Sequence, residues 1–146
     1  MNRRAFLQTG AGLAAGALWP PALRGQTSQD IGVRLVDVTA AAGLQFRHQN
    51  GAYGGKLLPE TMGSGCAFVD YDADGWPDIL LVNGTTWPGH RTAERSTLRL
   101  YHNNRNGTFT DVTRRAGLDV ELYGMGVAVG DYDNDGFPDL LITCVG

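Results

Sequence analysis

Residues 70–78 read DYDADGWPD, and residues 131–139 read DYDNDGFPD. Each stretch puts four aspartates into nine residues: Asp70, Asp72, Asp74 and Asp78 in the first, Asp131, Asp133, Asp135 and Asp139 in the second. The likeness runs past the acids. VDYDADGWPDILLV (Val69–Val82) and GDYDNDGFPDLLIT (Gly130–Thr143) share eight of fourteen residues. A second pair, LVDVTAAAGL (Leu35–Leu44) and FTDVTRRAGL (Phe109–Leu118), shares six of ten. The offsets are 61 and 74 residues, so the unit is roughly sixty residues long, with an insertion in the first copy over Gln45–Gly63. A fixed period of this size marks a repeat architecture in which each unit is one supersecondary element.

Strand signals inside the unit are short and evenly spaced. Ser64–Val69 reads as a first strand, Asp78–Val82 as a second, Leu98–His102 as a third and Thr108–Thr113 as a fourth. The Asn103–Gly107 stretch supplies a turn, with Asn-Gly as the hairpin signal. Gly124–Gly130 opens the next unit. No segment beyond the N-terminal stretch holds a helical period over ten residues. Four short antiparallel strands per unit describe a β-propeller blade. The expected fold is all-β: about one and a half four-stranded blades, as a fragment of a longer protein, with an unpaired edge on the last half-blade. The Leu35–Thr39 segment matches a fourth strand with no blade before it. It is therefore expected to complete the last blade of a full ring.

The acidic loops need a chemical explanation. Carboxylates a few ångströms apart repel one another. A hard cation reverses that sign by taking six to eight oxygens, many of them carboxylate. The expected ligands are Asp70, Asp72, Asp74 and Asp78, with the backbone oxygen of Trp76, and then Asp131, Asp133, Asp135 and Asp139, with that of Phe137. Gly75 supplies the sharp bend. The EF-hand shares the D-x-D-x-D-G start but requires a glutamate at position twelve and flanking helices. Position twelve is Leu81 or Ile142, and Pro77 and Pro138 stand at position eight. Strict octahedral geometry and retained waters make magnesium a poorer match than calcium. The expectation is two calcium sites.

Bulk composition narrows the partners. The 146 residues are 42% hydrophobic with 21 glycines, which suits a turn-rich folded domain. Setting aside Arg3, Arg4 and Arg24 leaves nine basic against fifteen acidic residues. That balance disfavours nucleic acid, whose binding rests on Lys and Arg neutralising phosphates. Cys66 and Cys144 lie in apolar, strand-like runs and read as small buried hydrophobes.

Residues 1–25 have a charged start, an apolar Gly/Ala/Leu run and Pro20-Pro21. This is the layout of an export signal and is too short for a transmembrane span. Asn2–Gln8, NRRAFLQ, resembles the bacterial twin-arginine signal. A linker over 26–32 and the repeat region over 33–146 complete the layout, and no later segment could cross a membrane. The expected location is periplasmic or extracellular.

DYDxDGxPD before an apolar strand, with YxNNxxGTFTDVTxxAGL between copies, resembles the FG-GAP/VCBS repeats of integrin alpha-type propellers. DVTAAAGLQFRHQNG and LLPETMGSGCAFVDYDADG are similar to bacterial proteins of the cartilage acidic protein, or ASPIC, type. The resemblance covers about Val33 to Gly146. It implies a seven-bladed propeller with calcium in the loop between a blade's first two strands, and it implies no catalytic chemistry.

Other candidates are thinner. His48 and Glu60 lie in the insertion with Asn50, Tyr53 and Lys56, where a metal or acid/base site is conceivable beside the plainer reading of an ordered loop packed on the blade. His90 and His102 are the remaining histidines. No G-x-S-x-G, H-E-x-x-H or C-x-x-C occurs. Asn83 and Asn106 match a glycosylation acceptor, a weak signal in an exported bacterial protein. The reading is an exported calcium-binding module, not itself an enzyme, that binds a protein or carbohydrate. The alternative is the scaffold of an exported enzyme, such as a polysaccharide-active one, whose catalytic part lies beyond residue 146.

Overall fold

A computed structural model describes residues 32–146. The signal-like residues 1–25 and the linker up to residue 31 lie outside the described residues. The chain divides into two units, 1–36 and 37–146, and the account below concerns the second.

Six strands form two antiparallel sheets. β1 (Cys66–Val69), β2 (Asp78–Leu81), β3 (Arg99–Asn103) and β4 (Phe109–Asp111) follow one another in a four-stranded meander. β5 (Gly124–Gly130) and β6 (Asp139–Cys144) make a two-stranded sheet. The structure is thus the expected all-β arrangement, one complete blade and half of another. The one helical element among the described residues is a short 3-10 turn at Leu58–Thr61.

Strand pairing explains the sequence pattern. Ala67 pairs with Leu80 and Leu80 with Leu100, while the Val112 N–H donates to the Leu100 carbonyl at 2.9 Å. Side chains alternate between the faces of a strand. These four therefore form one apolar row across the blade. Val69, Leu80, Leu100 and Val112 are its buried core, and Val127 and Leu140 of the second sheet pack against it. Two-residue periodicity thus sends one face of each strand into the gap between blades. Gly65 allows the close approach: a Cβ there would lie 3.1 Å from the Val127 nitrogen. The Gly65 N–H donates to the Met125 carbonyl at 2.8 Å and joins the sheets directly.

The opposite face is only partly covered. Tyr101 is buried there, and its hydroxyl donates to the Gln45 carbonyl at 2.6 Å. Burial holds that phenol proton above its ordinary pKa. The insertion is tied down along its length. Gln49 N–H donates to Asn83 Oδ1 at 2.8 Å, and the Tyr123 hydroxyl donates to the Asn50 carbonyl at 2.6 Å. It is the ordered, packed loop of the plainer expectation.

One expectation needs correction. Cys66 and Cys144 are not buried; both are exposed and unbridged. Cys66 shares its face with Phe68, which is also exposed, because no described element packs over that end of β1. Residues 33–38 form no strand here, and the last blade that Leu35–Thr39 is expected to complete is not among the described residues. The repeat signal in that region is carried by the turn that follows. Ala42 N–H donates to Val38 O at 2.8 Å, and Leu44 N–H to Thr39 O at 3.1 Å. Ala116 to Val112 and Leu118 to Thr113 repeat these bonds, each at 2.9 Å. The turn is encoded locally, whereas a strand needs a neighbour.

Candidate metal centre

Each acidic stretch is the hairpin loop between the first two strands of its sheet. In the first, the Asp70 carboxylate accepts from the Asp74 N–H (3.0 Å) and the Gly75 N–H (2.9 Å). Asp74 accepts from the Trp76 N–H at 2.9 Å, and Asp78 from the Tyr71 N–H at 3.1 Å. The second loop makes the same four bonds. Asp131 accepts from Asp135 N–H (3.1 Å) and Gly136 N–H (3.0 Å), Asp135 from Phe137 N–H (2.8 Å), and Asp139 from Tyr132 N–H (2.8 Å). Gly75 and Gly136 take positive φ of 85° and 90°, which supplies the bend. Ala73 and Asn134 also take positive φ, 56° and 60°.

These bonds hold the carboxylates inward. Asp70, Asp72 and Asp78 place oxygens within 4.8 Å of one another, as do Asp131, Asp133 and Asp139. Two such charges repel by about 1 kcal/mol at 4 Å in bulk water and about 4 kcal/mol near a protein surface. The donor set is oxygen-rich and anionic, so it fits a hard divalent cation. Asp135 stands outside the second cluster. The Trp76 and Phe137 rings are both substantially exposed.

The first loop has neighbours that the motif alone does not announce. Asp78 is fully buried, and its Oδ1 accepts the Asn103 N–H from β3 at 2.7 Å. Arg105 donates to Asp74 Oδ2 at 2.6 Å. That hydrogen bond holds the Asp74 carboxyl below the usual carboxylate range. His102 Nδ1 lies 3.3 Å from Asp78 Oδ1 and 3.4 Å from Asp72 Oδ2. Asp72, Asp74 and His102 form a further cluster of potential metal ligands. Their signal in the sequence is the YHNNR run of the third strand and its turn, whose register sets it beside the acidic loop. The arginine guanidinium of Arg115 donates to the Tyr71 hydroxyl from the neighbouring turn.

His48 and Glu60 do not converge. His48 is exposed at a polar cavity of about 620 Å³ between the insertion and residues 92–99. Glu60 instead offers its backbone oxygen to Asn50 Nδ2 at 2.9 Å. Tyr53 stacks on His90 with ring centroids 3.6 Å apart.

A blade whose first hairpin carries an oxygen-rich acidic loop, repeated in the next blade, defines an acidic-loop repeat of the propeller class. Comparison with protein families matches residues 70–142, half of the chain, to the FG-GAP-like repeat, and the chain belongs to that family. Among curated proteins, human integrin alpha-7 is 28% identical over 130 residues, covering 75% of this chain and 11% of the human protein. Rat integrin alpha-7 is 30% identical over 91 residues, covering 60% of this chain and 8% of its own. The chain therefore spans only about a tenth of the length of these relatives. No solved structure matches. No helix among the described residues is long and apolar enough to cross a membrane.

Proposed function

We propose that this chain is a calcium-stiffened β-propeller module that binds a protein or carbohydrate ligand outside the cytoplasm. Binding, not catalysis, is its role. The observation that carries the reading is the repetition, bond for bond, of one carboxylate-lined loop in two blades. A cation placed there would engage Asp70, Asp72 and Asp78 in the first loop and Asp131, Asp133 and Asp139 in the second. Asp74, Asp135 and the carbonyls of Trp76 and Phe137 complete the expected sets. Neutralising these charges would rigidify each hairpin and the strands that leave it. The family membership and the integrin relatives support a binding or adhesion role. The twin-arginine-like segment over 1–25 supports export. Extracellular calcium would then load loops that meet little of it in the cytoplasm.

Trp76 is a reporter inside the first loop. Calcium titrated into the protein should change tryptophan emission saturably, with magnesium competing poorly. Asp72→Ala should abolish the change, whereas Asp133→Ala should leave most of it. A folded protein whose emission ignores calcium would sink the reading.

A further inference from the structure

Among the described residues, an arginine is bonded to a carboxylate of the first loop and none to the second. Asp74 and Asp135 occupy the same loop position, and the Oδ1 of each accepts the backbone N–H two residues on, from Trp76 or Phe137. Asp74 Oδ2 also accepts from Arg105 Nη2 at 2.6 Å, and the same nitrogen lies 3.3 Å from the Asp74 carbonyl oxygen. A fixed turn delivers Arg105 to that place. Asn103 N–H donates to Asp78 Oδ1 at 2.7 Å and Asn103 Nδ2 to the Pro77 carbonyl at 3.0 Å, which clamps the end of β3 to the acidic loop. Arg105 N–H then donates to Asn103 Oδ1 at 2.9 Å, and Asn104 N–H to the Thr108 carbonyl at 3.0 Å. This turn sets Arg105 at φ of 62°. Left-handed backbone suits glycine and is unfavourable for a residue with a Cβ. A long basic side chain is therefore held where glycine would sit without strain, with its charge on the loop.

We propose that Arg105 is a built-in counter-ion of the first loop, which holds Asp74 in the absence of a cation and raises the calcium concentration at which the loop fills. The inference rests on the reading that these loops bind calcium. An entering ion must share Asp74 with the guanidinium or displace it, and in either case it meets a like charge. The Arg105 side chain is 50% exposed and that of Asp74 18%. Solvent and salt therefore screen part of the repulsion. The result is a shifted threshold, not a block. The pair itself, half in water, adds little to stability.

Calcium titration of the full chain, followed by Trp76 emission, reads the first loop. Arg105→Gln should lower the midpoint about three- to tenfold. Arg105→Gly removes the charge and suits the left-handed backbone, so it should fold and lower the midpoint by a similar factor. Arg105→Lys keeps the charge and should stay within about twofold of the unmodified protein. The gap between the unmodified protein and Arg105→Gln should narrow as salt rises. A gap that ignores salt, or a Lys variant as tight as the Gln variant, would show that charge is not the cause and overturn the inference. A saturable response with equal midpoints in the unmodified, Gln and Gly proteins would overturn it too, and would leave the calcium reading standing. Folded proteins silent to calcium in all four forms would defeat both.

Discussion

The two acidic loops are the same object in different surroundings. Their side-chain-to-backbone bonds coincide, and so do their positive-φ positions. Yet Asp78 is fully buried beneath β3, whereas its counterpart Asp139 is exposed. Tyr71 is partly covered and bonded to Arg115, while Tyr132 is 94% exposed. The lesson is that nine residues suffice to shape the loop. Its electrostatics and extra donors come from strands that arrive 20 to 30 residues later.

The comparison can be broken most forcefully in the core. Leu80 is 0% exposed and its repeat partner Leu141 is 68% exposed. Leu80→Ala should destabilise the protein by about 2–5 kcal/mol in urea denaturation, and Leu141→Ala by about 0.5 kcal/mol or less. Equal effects would mean that the blades are packed alike.

The ninth-position aspartates give the next largest contrast. Asp78→Ala strands two backbone N–H groups, from Tyr71 and Asn103, and should cost about 2–4 kcal/mol. Asp139→Ala strands one exposed N–H, from Tyr132, and should cost about 1 kcal/mol or less. The same denaturation series checks both.

A smaller effect tests whether the loops share a backbone optimum. Ala73 holds φ of 56° where the second loop has Asn134 at 60°. Left-handed backbone costs a residue like alanine roughly 1–2 kcal/mol, and asparagine tolerates it better. Ala73→Asn should therefore raise stability by about 0.5–1 kcal/mol. A loss of stability would show that the two loops are not interchangeable.

The finest contrast is in titration. Arg105 depresses the Asp74 carboxyl, so the ion pair's contribution is present above the ordinary aspartate pKa. It is lost as pH falls through the depressed value. Asp74 should titrate upward in Arg105→Gln, followed by NMR of the carboxyl carbon. No movement would detach Arg105 from the loop's electrostatics.

Sequence by itself determined the repeat, the strand order and the loop. The hairpins and turns were legible because their hydrogen bonds close within a few residues, as in Asp70 to Gly75 or Ala42 to Val38. The apolar row Ala67, Leu80, Leu100 was legible because alternation in a strand is a local rule. Tertiary structure alone decided the rest. Whether Cys66 is buried depends on what packs over β1. Whether residues 33–38 become a strand depends on a partner. His102 and Arg105 join the first loop because antiparallel pairing carries β3 back past Asp78, a long-range register that no local pattern encodes.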